Sequence, residues 1–286
     1  MRMFFTADTH FGHDAIRRLA NRPFDSLEAM DEALIARWHG VDRLAYAATV
    51  RFAPTSTDAQ LAMAGQLLQR HDGLYLQTHV AENRAEIEWV RQLFPDARSY
   101  LDVYAQHGLV GARSMFAHGI WLDAQDHALL AREQAALAHC PTSNLFLGSG
   151  LMPWRALADA GVAVTMASDV GGGTSLSMQR TLAAAVAVQA LQHTRLPAWQ
   201  ALYAATRGAA RALSLEHEIG SFDVGCTADL ALWHWARGAV ATARDEAHSR
   251  QRIRAPSRPA EQAAAAAVAL VQVGHAQHHR LRAEVA

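Results

Sequence analysis

From about residue 44 to residue 213 the chain alternates short apolar runs with segments whose apolar residues recur at helical spacing. Apolar runs of four to nine residues bounded by turn signals predict strands over 44–52, 74–81, 114–118, 136–139 and 162–168. Between and after them, the 3.6-residue period predicts helices over 58–70, 84–93, 124–134, 154–160, 175–192 and 197–213. Thr57 or Asp58 is placed to cap the first of these, and Pro197 sits where a helix begins. Strands spaced by 20 to 40 residues with helices between them imply parallel crossovers and an α/β class. Such a pattern fits either a doubly wound sheet or a (β/α) barrel.

The polar positions narrow this choice. At or just past the carboxyl ends of successive predicted strands stand Arg51, His79, His118, His139 with Cys140, and Asp169. In barrels the strand carboxyl ends converge on one site, so a barrel-type arrangement fits better than an open sheet. A neutral imidazole at His79 is a good zinc donor, and Glu82, three residues on, is suited to carry a proton. Alternate strand residues face opposite ways, so Glu82 has to lie past the strand end and turn back. His118 and Asp169 complete a set drawn from three strands. Gly171-Gly172-Gly173 resembles a phosphate cradle but lacks its lysine, and is better read as a sharp turn after Asp169. His139 and Cys140 are neighbours that point apart, which makes Cys140 a small buried residue rather than a nucleophile. His107, His127, His193 and His217 are expected in solvent, and Trp89 and Phe94 in the core.

Composition then removes whole classes of chemistry. All 26 basic residues of the 286 are arginine. Schiff-base lysines, lysine-bearing phosphate loops and lysine-carbamate metal bridges are therefore impossible. A net charge of −1 argues against nucleic-acid binding. Two cysteines make no disulfide framework, and no apolar run reaches the ~20 residues of a membrane helix. With no signal peptide visible, the expectation is a cytoplasmic protein away from membranes.

Four segments are specific enough to carry a resemblance: Arg51-Phe52-Ala53-Pro54-Thr55-Ser56, Thr78-His79-Val80-Ala81-Glu82-Asn83, His139-Cys140-Pro141-Thr142-Ser143-Asn144, and Ser168-Asp169-Val170-Gly171-Gly172-Gly173-Thr174-Ser175. Together, over about residues 34–243, they resemble the guanine deaminases of the amidohydrolase superfamily. The resemblance implies a TIM-type barrel holding one zinc ion and hydrolysing guanine to xanthine and ammonia. It implies His79 and Asp169 as zinc ligands and Glu82 as proton shuttle. His118 would polarise the attacked group, Asp169 would take a proton from the metal-bound water, and Arg51 with Phe52 would hold the purine.

The sequence departs from that family in places. No H-x-H pair, the family's other two zinc ligands, occurs anywhere, and the resemblance starts at what would be the fourth strand. The expected fold is thus a partial barrel lacking its first strands, with a short foreign segment at the amino end. Residues 1–38 are similar to the opening of calcineurin-like metallophosphoesterases, with Asp8 and His10 as the D-x-H pair. The expected division is 1–38 as that fragment, 39–225 as the partial barrel, 226–243 as a remnant of a small β-domain, and 244–286 as an Ala-, Arg- and His-rich tail. His275, His278 and His279 are read as part of that solvated tail, and a fusion near Leu34–Trp38 would account for the two resemblances. Asp8 and His10 are candidate stand-ins for the missing ligands. The rival readings are a metallophosphoesterase and a non-catalytic remnant. Uncovered strand edges would favour homo-oligomers.

Overall fold

A computed structural model of the chain describes residues 47–227 together with 25, 26, 29, 45 and 229. Asp8, His10, the expected join near Leu34–Trp38, the expected β-domain remnant beyond residue 229 and the tail histidines lie outside the described residues. The chain divides between Ala136 and Leu137 into two compact units.

The first unit is built on three parallel strands, β1 (Ala47–Thr49), β2 (Tyr75–Val80) and β3 (Ser114–His118), with β2 between the other two. Register pairs Ala48 with Leu76, and His79 with Ala117. Helix α1 (Asp58–Arg70) crosses from β1 to β2, and Thr57 caps it by accepting the Gln60 N–H. Helices α2 (Arg84–Leu93) and α3 (Tyr100–Gln106) cross from β2 to β3, capped by Asn83 and Ser99. After β3, α4 (Ala124–Arg132) opens with a reciprocal capping box between Asp123 and Asp126. Leu61, Leu76, Leu101, Tyr104, Phe116 and Leu130 are fully buried in this unit.

The second unit contains all but the first residue of β4 (Ala136–His139), with α5 (Pro141–Leu147), α6 (Trp154–Asp159), β5 (Ala163–Met166), α7 (Met178–Leu191), α8 (Ala198–Ala204) and α9 (Arg207–Ala212). β5 bonds to β4 through Ala167 N–H to the His139 carbonyl at 2.9 Å. Its core packs Trp154, Met166, Ala185, Leu196, Ala201 and Ala204 together.

The predicted α/β alternation is present, and α1, α2, β3 and β4 have the predicted bounds. Two helices were not expected. α3 has the composition of a strand, but Tyr100, Leu101, Val103 and Tyr104 fall on one face and are buried together. α5 starts on Pro141 and ends at Gly148 in the left-handed region at φ 68°, so its signals are punctuation rather than periodicity. The single helix expected over 197–213 is two, because the chain leaves helical geometry at Thr206.

Burial corrects four expectations. His127 is 7% exposed, packed on the inner face of α4 rather than in solvent. His107 is also largely covered, with one ring nitrogen on the Val103 carbonyl and the other 2.9 Å from Asp58. Trp89 is 47% exposed instead of core, and Phe94 is half-buried. His193 and His217 are exposed as expected, and Cys140 is buried and forms no disulfide with Cys226.

Candidate active site

β2 ends at Val80, and the next residue, Ala81, sits in the left-handed region at φ 46°. This conformation is costly for a residue with a Cβ, of order 1–3 kcal/mol, and persists only where neighbours impose it. Here the Ala81 carbonyl accepts N–H groups from Ile120 and Trp121, tying the end of β2 to the loop after β3. The turn swings Glu82 back over the strand end, so that its Oε2 lies 3.6 Å from His118 Nε2. His118 itself, the last residue of β3, is left-handed at φ 71° and only 1% exposed.

The His79 and His118 rings stack at 5.3 Å between centroids, and a nitrogen of each lies within 4.8 Å of the other. His79 Nδ1 is 2.7 Å from the Arg51 carbonyl. A carbonyl only accepts, so Nδ1 carries a proton, and the tautomer with that single proton presents the Nε2 lone pair on its other side. A backbone carbonyl fixing one ring nitrogen while the other is offered outward is the usual setting of a metal-ligating histidine. His79 therefore fits a zinc ion by the chemistry of its own hydrogen bonds.

Arg51 and Phe52 follow β1. The Arg51 guanidinium lies over the Phe52 ring at 5.2 Å, and Trp89 of α2 meets that ring edge-on at 6.3 Å. The first unit thus brings Arg51, Phe52, His79, Glu82 and His118 into one cluster. Sequence reasoning missed Trp89 in this role.

Behind the cluster, Glu86 of α2 is 7% exposed, with its Oε1 lacking a hydrogen-bond partner. Burial pushes its carboxyl above the ordinary carboxylate range; Tyr100 opposes the rise, the Glu82 charge adds to it and His79 works against it.

In the second unit Asp169 stands three residues past β5, left-handed at φ 47°. Gly172 and Gly173 after it are required by close approach. A Cβ on Gly173 would lie 1.9 Å from the Ser168 carbonyl oxygen, and one on Gly172 would lie 2.8 Å from Ser143 Oγ and 3.2 Å from Asp169 Oδ2. The sharp turn expected of the triple glycine is present. Ser143, fully buried on α5, directs an Oγ without a hydrogen-bond partner toward the same turn. It belongs to a quoted segment but had been given no role.

The sequence profile of the Amidohydrolase family matches residues 6–250. The chain is 45% identical over 199 residues to the guanine deaminase of Escherichia coli (strain K12), covering 70% of this chain and 45% of that protein. Among solved structures, E. coli guanine deaminase superposes with a TM-score of 0.67 at 44% identity, over 70% of this chain and 47% of the other. A guanine deaminase from C. acetobutylicum with bound guanine in its active site gives 0.57 at 30% identity, over 60% and 42%. An adenosine deaminase from Xanthomonas campestris with bound zinc gives 0.60 at 29% identity, over 70% and 47%. The chain spans about half the length of the curated relatives it matches. These superpositions give the fold class, α/β of the TIM-barrel hydrolase type, of which the chain carries a part.

Proposed function

The chain belongs to the amidohydrolase family, and from that premise we propose that it is a guanine deaminase-like zinc aminohydrolase, converting guanine to xanthine and ammonia. The observation that carries the reading is the locked tautomer of His79, whose outward nitrogen stands beside the Glu82–His118 pair. In this proposal His79 and Asp169 hold the metal, a nitrogen-and-carboxylate donor set of the kind zinc takes. One zinc ion, when bound, supplies a Lewis acid and a water acidic enough to give hydroxide near neutral pH.

The remaining roles fall to the chain's own groups. Glu82 shuttles a proton that originates on the attacking water to the departing amine, which leaves as ammonia only when protonated. His118, fixed 3.6 Å from Glu82, donates toward the attacked group and steadies charge as it develops. Asp169 would take up a proton from the attacking water. The Arg51 guanidinium presents planar donors to the acceptor edge of the purine, and Phe52 offers its ring to the base.

The partner in this reading is a small purine, with no nucleic acid and no membrane. Among the described residues no helix is long and apolar enough to cross a membrane, and two cysteines without a disulfide between them suit a cytoplasmic location. Homo-oligomerisation is part of the proposal, supported by exposed Leu145, Phe146, Leu147 and Leu176 in the second unit. A sizing column giving a monodisperse monomer would count against it. The barrel portion is assigned to residues 39–225.

One purified sample tests the activity. Metal analysis is expected to give zinc approaching one per chain, and absorbance at the xanthine band is expected to rise on adding guanine. A folded preparation that retains zinc but never forms xanthine would overturn the activity while leaving the metal site standing.

A further inference from the structure

The Tyr104 hydroxyl, behind His79, joins two segments at once. Tyr104 lies on α3 and is fully buried. Its oxygen accepts the Ala53 N–H at 2.9 Å, and its proton goes to the His79 carbonyl at 2.8 Å. Thr78 Oγ1 lies 3.3 Å away and donates to the Arg51 carbonyl at 3.2 Å. That same carbonyl receives the His79 backbone N–H at 3.3 Å and the ring Nδ1–H at 2.7 Å. Arg51, Phe52 and Ala53 are thus fastened to Thr78 and His79 by five hydrogen bonds, and two of them converge on one hydroxyl.

We propose that Tyr104 is a positioning residue that locks the purine clamp Arg51–Phe52 to the metal ligand His79, so that clamp and ligand hold one geometry. The proposal rests on the roles assigned to those residues above. The β2 ladder cannot do this alone, because the register of β1 with β2 ends at Thr49 and Gln77, short of the clamp. Past that point the side-chain bonds, with the His79 N–H, are the links holding the clamp to the strand. Ala53 is wholly buried, so without the hydroxyl its N–H has no water to turn to.

Tyr104→Phe in the full chain removes the hydroxyl but keeps the ring against Phe116 and Tyr100, whose centroids are 5.6 and 5.7 Å away. Amide hydrogen exchange at Ala53 is expected to speed up about tenfold or more, while α4 exchanges at the parent rate. With the metal chelated away, the 15N spectrum of the His79 ring is expected to pass from one Nδ1–H tautomer in the parent to a mixture in the variant. Guanine binding by calorimetry is expected to weaken about tenfold with zinc content unchanged. An unchanged Ala53 rate with a single His79 tautomer overturns the proposal. Equal acceleration throughout α4 also overturns it, since the hydroxyl would then serve folding alone. Thr78→Val leaves both Tyr104 bonds in place and is expected to keep Ala53 protected; loosening equal to that of Tyr104→Phe would assign the lock to Thr78 instead. A parent protein that never binds guanine sinks the purine reading, and the exchange and tautomer data still decide the lock.

Discussion

Glu82 reaches His118 because Ala81 leaves the strand in a left-handed turn, and the proposed chemistry depends on that 3.6 Å approach. Replacing Glu82 by Gln keeps the shape and removes the proton. Turnover of guanine is expected to fall by about 10²–10⁴ with binding retained; a variant as active as the parent would remove Glu82 from the mechanism. Glu86, one turn further along, behaves differently. Its folded value is raised by burial, so the folded state keeps its proton after the unfolded chain has lost it. Stability from this group is full below the unfolded value of about 4.3 and is lost as pH rises through the folded one. Glu86→Gln removes that loss. Thermal melts are expected to coincide near pH 4, with the variant about 2–4 °C higher at pH 8; an equal offset at both pH values would show that the carboxyl does not titrate. The places of His79, Glu82, His118 and Asp169 at or just past strand ends were readable from the sequence by residue type and position. Trp89, Ser143 and Tyr104 were not, because each acts through a neighbour distant in sequence that periodicity does not specify.

At the scale of elements, punctuation carried more than propensity. The ends of α1 and α2 were legible because Thr57 and Asn83 cap them over well-formed amphipathic stretches. α3 was hidden, since its aromatic and β-branched residues favour a strand until burial of Tyr100 and Tyr104 decides for a helix. The turn after β5 shows the same dependence on contact. Gly173 has no room for a Cβ beside the Ser168 carbonyl. Gly173→Ala is expected to cost about 1–3 kcal/mol in chemical denaturation and to displace Asp169. Gly171→Ala, with open space around its Cβ but φ at +125°, is strained by conformation alone. A neutral effect of Gly173→Ala would show that the turn relaxes freely.

For the whole molecule, metal binding and stability are linked. A ligand that binds only the folded chain adds about 2.7 kcal/mol at a free concentration one hundred times its dissociation constant. Zinc is therefore expected to raise the melting temperature and a chelator to reverse the rise. His79→Ala is expected to abolish the response, and a zinc-independent melt would remove the site. The sequence by itself determined the α/β class, the strand-end placement of the polar residues and, through the absence of lysine, the exclusion of a carbamate-bridged metal pair. It could do so because side-chain period and residue chemistry are local properties. Only the tertiary structure decided which nitrogen of His79 is free, that Glu82 faces His118, and that Phe52 rests on Trp89. Those facts are set by hydrogen bonds and contacts between residues about 30 positions apart, and no local pattern encodes such distances.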